Sequence, residues 1–110
     1  MFLKKKQDVN VGLEEFRRAV HAHGHNSAVL LDVRTPKERE YGWIPGSVNL
    51  PLNKLKSASL VIPAADTPVF IYCANGARAE RAAKRLRRAG YTNVRSIGGV
   101  EGYRGEIQRG

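Results

Sequence analysis

The feature that most limits what this chain can fold into is a repeated change of pattern, from a short apolar run to an amphipathic helix. The apolar runs at 28–33 and 69–72 are bounded by polar or turn residues and are short enough to be buried strands. A helical pattern follows each run, after Thr35-Pro36 in one case and after Cys73 in the other. This alternation predicts an α/β fold with a mostly parallel sheet.

The remaining segments continue the alternation. A helical repeat of Leu13, Phe16 and Val20 predicts a first amphipathic helix from Asn10. We also expect a short helix over 36–41, a brief strand over 47–50, a short helix over 53–60 and a strand over 93–97. The helix after Cys73 has an apolar face, which consists of Ala79, Ala82, Ala83, Leu86 and Ala89. Its other face is basic, with Arg81, Lys84, Arg85 and Arg88.

At 110 residues the chain has room for one hydrophobic core. We expect a single domain over residues 10–110, preceded by an N-terminal extension or edge segment over residues 1–9. The N-terminus is basic but has no apolar run after it, unlike a signal peptide, and no stretch approaches the roughly 20 apolar residues that cross a bilayer. The single cysteine excludes an internal disulfide. These features favour a cytoplasmic, monomeric protein without a membrane segment in this chain.

The net charge of +9 raises the question of nucleic-acid binding. The basic residues crowd one helix, but no aromatic side chains that could stack on bases are interleaved with them. We therefore expect no nucleic-acid partner, and a solvated basic face that attracts small anions or an acidic protein. His21, His23 and His25 alternate in a predicted loop, but they lack cysteine or carboxylate partners at ligand spacing. We expect no metal and no cofactor.

Cys73 lies where the buried run 69–72 stops and the basic helix begins. A loop between a strand end and a helix N-terminus directs free backbone N–H groups at one spot, and the helix dipole adds positive potential there. Because the thiolate is the nucleophilic form, such a position favours a reactive cysteine. The alternative is that Cys73 is a small core hydrophobe, as lone cysteines often are.

The loop that follows has the residues of an anion cradle: small residues, a glycine and a terminal arginine, in the order Cys73-Ala74-Asn75-Gly76-Ala77-Arg78. With the apolar run before it, this loop resembles the active-site loop of the rhodanese family of sulfurtransferases. The segments 31–36 and 42–51 resemble the family's first signature, and 89–94 with 98–103 resemble its closing one. The resemblance implies a rhodanese-like fold, with a mostly parallel central sheet of about five strands and helices on both faces.

The resemblance also implies a ping-pong sulfur transfer by a thiosulfate sulfurtransferase. Cys73 would be the catalytic nucleophile and form a persulfide with the outer sulfur of a small anionic donor such as thiosulfate. Cyanide, a thiol or a protein would then accept that sulfur. The backbone N–H groups of residues 74–78 would bind the donor, and the Arg78 side chain would either bind the anion or pair with a nearby carboxylate.

Asp32 and Arg34 match the family's Asp-x-Arg, and we expect them to brace the loop from the neighbouring strand rather than to perform chemistry. Three positions differ from the common family pattern: Arg39 replaces an aromatic residue, Trp43 a histidine and Tyr103 a tryptophan. These changes leave the thiol loop intact, so we expect them to alter packing or substrate preference rather than activity.

Two other functions stay open at this point. A phosphatase or arsenate reductase also places a cysteine in an anion loop that ends in arginine, but its loop resembles Cys-x5-Arg, and this chain has four residues between Cys73 and Arg78. The shorter loop favours sulfur chemistry. A persulfide carrier or interaction module, which exchanges sulfur with partner proteins and acts little on free thiosulfate, has the same sequence features as the enzyme.

Overall fold

The computed structural model describes residues 7–110, and these residues form a parallel sheet with helices on both faces. The strands are β1 (Val29–Asp32), β2 (Ser47–Asn49), β3 (Val69–Cys73) and β4 (Val94–Gly99). The α-helices are α1 (Val9–His23), α2 (Pro36–Arg39) and α3 (Ala77–Arg88). A long 3-10 helix covers Leu52–Leu60, and a short one covers Val100–Gly102. The predicted elements are thus present, with ends that coincide with the predicted ones or differ by at most three residues.

The sheet has the strand order β2-β1-β3-β4, and each neighbouring pair is parallel. β1 and β3 occupy its centre and are buried along their whole length, which explains their continuous apolar sequence. The carboxyl ends of β1 and β3 therefore lie side by side, with Asp32 opposite Tyr72 in the register. Ligand sites of open parallel sheets lie at this edge.

Within residues 7–110 the sheet has four strands, one fewer than the expected count of about five. Outside the named strands, Trp43 and Gln108 form an isolated antiparallel bridge. At the outer edge, the Gln7 side chain donates a hydrogen bond to the Ser96 carbonyl at 2.6 Å and accepts one from its hydroxyl at 3.0 Å. The Gln7 amide thus occupies part of the edge of β4. Of the predicted extension over residues 1–9, residues 1–6 lie outside the described range.

Alternate side chains of the strands enter two separate cores. On one face, Leu31, Ile71 and Cys73 pack with the small apolar face of α3 and with Ala58 of the long 3-10 helix. On the other face, Leu30, Phe70 and Tyr72 pack with α1. The small side chains predicted for α3 are buried and let this helix lie close to the sheet. The thiol of Cys73 consequently belongs to the α3 face of the sheet.

Candidate active site

Cys73 is the last residue of β3 and is fully buried. Its sulfur accepts a hydrogen bond from the backbone N–H of Gly76, with an N–Sγ distance of 2.9 Å. Gly76 is also the N-cap of α3, so the donor lies at the positive end of the helix dipole. Backbone donors and a helix N-terminus both stabilise negative charge on the sulfur. The structure therefore combines the burial of a core cysteine with the surroundings of a reactive one.

The loop from Ala74 to Arg78 leaves its predicted anion-binding residues half-buried or exposed. Gly76 adopts a φ of 100°, in the left-handed region that glycine reaches without strain. The Asn75 side chain accepts a hydrogen bond from the Ala77 N–H at 3.1 Å, and the Ala74 carbonyl accepts one from the Glu101 N–H at 3.2 Å. The loop is thus held both from within and from the segment after β4.

Gly99 of β4 forms the wall against which this loop packs. A Cβ built on Gly99 would lie 2.6 Å from the Cα of Asn75 and would also collide with the backbone of Ala74. Neither neighbour is a flexible side chain that can move aside. In the sequence, Gly99 is distinguished only as part of the segment 98–103 that resembles the closing signature, whereas its close approach to the loop depends on the Cys73–Gly99 register.

Arg78 does not approach the thiol alone, because its guanidinium is paired with Glu38 of α2. The two Nη atoms donate to the two carboxylate oxygens at 2.6 and 2.8 Å. Hydrogen bonds from Arg78 lower the pKa of Glu38 from 4.5 to about 2. Pairing with a nearby carboxylate is one of the two roles expected for Arg78. The direct binding of an anion by Arg78 stays a prediction.

Glu38 is the site residue that sequence reasoning missed. Its carboxylate accepts a hydrogen bond from the Thr35 N–H at 3.0 Å, and its own N–H donates to the Thr35 hydroxyl at 3.2 Å. This reciprocal arrangement is a capping box, whose signal Thr-x-x-Glu is visible in the sequence. The motif predicts the start of α2 but not that the same carboxylate binds an arginine 40 positions away.

Asp32 and Arg34, the two ends of the Asp-x-Arg motif, form a buried ion pair. Arg34 donates to both carboxylate oxygens, with an Nη2–Oδ2 distance of 2.8 Å, and the same nitrogen donates to the Gly42 carbonyl at 2.8 Å. The Tyr72 hydroxyl donates to Asp32 at 3.1 Å. Burial raises the pKa of Tyr72, which keeps this donor protonated.

This network lies on the face of the sheet opposite to the thiol. Side chains alternate along a strand, and Tyr72 packs in the α1 core whereas Cys73 packs in the α3 core. Asp32 and Arg34 are therefore connected to the thiol loop indirectly, through Tyr72 and the backbone of β3. Their role as braces of the loop stays a prediction.

The three departures from the family pattern lie around this network and the C-terminal segment. Arg39 donates to Asp32 at 3.1 Å and to the Ser47 carbonyl at 2.8 Å, and its guanidinium carbon lies 4.9 Å from the centre of the Trp43 ring. Trp43 pairs with Gln108 in an antiparallel bridge, and the Tyr103 hydroxyl donates to the Glu106 carbonyl at 3.1 Å. The first two residues thus pack together.

The three histidines are exposed and lie far along the chain from the thiol loop. His21 and His23 belong to the last turn of α1 rather than to the predicted loop, and His25 follows it. Across residues 7–110, no cluster of three or more histidine, cysteine or carboxylate side chains is arranged to hold a metal ion. None of the helices in the same range has the length and apolar character needed to span a membrane.

Comparisons with known proteins identify the family to which this chain belongs. A family model for the rhodanese-like domain matches residues 13–106. The chain is 42% identical over 96 residues to the Bacillus subtilis protein named uncharacterized protein YqhL, which covers 86% of this chain and 71% of that protein. It is 34% identical over 86 residues to human thiosulfate:glutathione sulfurtransferase, which covers 66% of this chain and 75% of that protein.

A solved structure titled as a rhodanese with anions from E. coli has the same fold. Its TM-score is 0.70 at 27% identity, and the match covers 76% of this chain and 99% of that one. Two longer fungal relatives, from Meyerozyma guilliermondii and Ogataea parapolymorpha and both named adenylyltransferase and sulfurtransferase, are spanned over only 26% and 25% of their lengths. The matched segment, the parallel sheet and the thiol loop agree in one conclusion: the chain belongs to the rhodanese-like family of sulfurtransferases.

Proposed function

We propose that this protein is a thiosulfate sulfurtransferase that carries sulfur as a persulfide on Cys73 and passes it to a thiol or to cyanide. The observation that carries the proposal is the hydrogen bond from the Gly76 N–H to the Cys73 sulfur at the N-terminal end of α3. A fixed donor and a helix dipole favour the thiolate, which is the nucleophilic form. The human relative named thiosulfate:glutathione sulfurtransferase supports this choice of donor and acceptor.

The first half-reaction is a displacement at sulfur. The Cys73 thiolate attacks the outer sulfur of thiosulfate, and a new S–S bond forms. The S–S bond within thiosulfate breaks, and its electron pair leaves with sulfite. The protein then holds a Cys73 persulfide, so that sulfur is transferred without any external oxidant or reductant.

The second half-reaction returns the thiol. Cyanide or a thiolate attacks the outer sulfur of the persulfide, the protein S–S bond breaks and its electron pair returns to Cys73. The products are thiocyanate or an acceptor persulfide, together with the Cys73 thiolate. Each half-reaction needs a site that binds an anion beside the sulfur, and the backbone N–H groups of residues 74–78 are the donors we propose for it.

The test is the intact mass of the reduced protein after incubation with thiosulfate and removal of the excess donor. We expect wild type to gain one sulfur and Cys73→Ser to gain none, with unchanged circular dichroism in the variant. No gain in folded wild type would overturn the choice of thiosulfate. A persulfide carrier loaded by another protein would then be the better explanation.

The role proposed for the Arg78 charge has its own test. We expect Arg78→Gln to slow persulfide formation by about tenfold at low thiosulfate, since losing about 1.4 kcal/mol of binding corresponds to that factor. Arg18→Gln, which removes an exposed charge from α1, is the matched control. If both variants load at the wild-type rate, Arg78 does not bind the donor.

A further inference from the structure

The outward face of α3 is strongly basic. The helix contains six basic residues and one acidic residue, and four of its exposed basic residues share one face: Arg81, Lys84, Arg85 and Arg88. The helix is about 18 Å long at a rise of about 1.5 Å per residue, and the four residues lie within its last eight positions. This face is a concentrated positive surface, which we call the α3 basic face.

The α3 basic face stands apart from the ion pairs that the structure describes within residues 7–110. The ion pairs within residues 7–110 involve other arginines, namely Arg34, Arg39, Arg78, Arg95 and Arg104. The four residues of the basic face take part in none of these pairs. Arg85 and Arg88 in the last turn favour the helix dipole, but neighbouring like charges on one helix also repel each other. A bound acidic partner would offset this repulsion.

A groove of about 280 Å³ runs beside the basic face, between α3 and the long 3-10 helix. Its floor is apolar, with Leu52, Leu55 and Leu86, and basic side chains of Lys56 and Arg85 stand at its rim. Apolar groups surrounded by charge of one sign fit an amphipathic segment whose polar residues carry the opposite sign.

The groove lies between two elements that both start at the active-site edge of the sheet. α3 begins directly after the thiol loop, and the N–H of Leu52 donates to the Val33 carbonyl beside the carboxyl end of β1. Arg85 and Leu86 of the groove lie about 12 Å along α3 from its first residue, so a protein docked here would have to extend along α3 to reach the mouth of the loop. Small donors and acceptors have no need of such a surface.

We propose that the α3 basic face and the adjoining groove dock an acidic protein thiol that accepts sulfur from Cys73. This inference rests on the proposed function and names the chemistry of its acceptor. The acceptor thiolate attacks the outer sulfur of the Cys73 persulfide, the S–S bond breaks, and its electron pair returns to Cys73. Nucleic acid fits less well because α3 contains no aromatic residue to stack on bases.

The probe is a synthetic amphipathic peptide with leucines on one face, glutamates on the other and a single cysteine at one end. The full chain is first loaded with thiosulfate, and sulfur transfer to the peptide is followed by mass. We expect the glutamate peptide to accept sulfur at least tenfold faster than a matched lysine peptide at low salt. The difference should shrink at 0.5 M salt, where charges are screened over about 4–5 Å.

The test variant is Arg85→Glu with Arg88→Glu, and the matched control is Arg17→Glu with Arg18→Glu on α1. Both change the net charge equally and alter exposed residues. We expect only the α3 variant to lose the preference for the glutamate peptide, while its transfer to β-mercaptoethanol stays at the wild-type rate. Arg85→Gln with Arg88→Gln keeps the test valid if charge reversal at the helix C-terminus prevents folding.

The outcomes separate the docking inference from the proposed function. Failure of wild type to load sulfur overturns the function, whereas normal loading with equal transfer to both peptides overturns the docking surface alone. An equal loss of preference in the α1 control would show that net charge, not the α3 face, attracts the peptide. Stronger inhibition by a single-stranded oligonucleotide than by a cysteine-free glutamate peptide would assign the surface to nucleic acid instead.

Discussion

Arg78 and Glu38 join the helix after the thiol loop to the helix after β1 through a bidentate pair. The Nη–Oε distances are 2.6 and 2.8 Å, and the side chains are 27% and 35% exposed. An ion pair with this exposure is partly screened by water, so its geometry matters more than its energy. It fixes the position of the second residue of α3, which is also the last of the five residues proposed to bind the donor.

Glu38→Gln should therefore have a modest effect on stability that depends on Arg78. We expect a coupling energy of about 0.5–1 kcal/mol between the two positions in urea unfolding of Glu38→Gln, Arg78→Gln and the double variant. The glutamine keeps an oxygen for the Thr35 N–H, so the capping box is largely preserved. Additive losses would show that the two side chains do not stabilise each other.

The same pair predicts a pH dependence. The pKa of Glu38 is about 2 in the folded protein, below its ordinary value of 4.5, chiefly because of the hydrogen bonds from Arg78, so the folded state favours the ionised form. The contribution is complete well above pH 4.5 and is lost as the pH falls through about 2. The stability difference between wild type and Glu38→Gln should shrink over this range, and this shrinkage should be weaker in an Arg78→Gln background. A constant difference would contradict the assignment.

Strand and helix positions were predictable because they depend on local pattern. The run 69–72 has no polar residue, and this continuous pattern is what a strand buried on both faces requires. The position of Cys73 at the carboxyl edge of the sheet was predictable for the same reason. The number of strands was less predictable, because it depends on which segments pair across the sheet rather than on any one segment.

The contacts of the site were only partly predictable. The pairing of Asp32 with Arg34 is local, and its two residues stand in one motif. The links from Tyr72 to Asp32 and from Arg78 to Glu38 each cross 40 positions and exist only once the strands are in register. Tyr72 also looks like a core residue in an apolar run, so nothing in the sequence indicates that its hydroxyl joins a buried ion pair.

Asp32→Ala should be strongly destabilising. It leaves the buried guanidinium of Arg34 without its carboxylate, and removing one partner of a buried pair costs about 3–5 kcal/mol. Glu15→Ala is the matched control, because its pair with Arg95 is exposed and should contribute about 0–1 kcal/mol. Urea unfolding of both variants gives the comparison. Equal losses would mean that Arg34 finds another partner or water when Asp32 is removed.

Gly99→Ala should disturb the thiol loop through its backbone. The new Cβ would meet the backbone of Ala74 and Asn75, so the loop or β4 must shift, at a cost of about 1–3 kcal/mol. Gly102→Ala is the control, because the nearest atom to its Cβ is 4.0 Å away. We expect slower persulfide formation and lower stability in Gly99→Ala, and values close to wild type in Gly102→Ala. Wild-type loading by a destabilised Gly99→Ala would show that sulfur transfer tolerates a displaced loop, and the packing of Gly99 would then serve the fold alone.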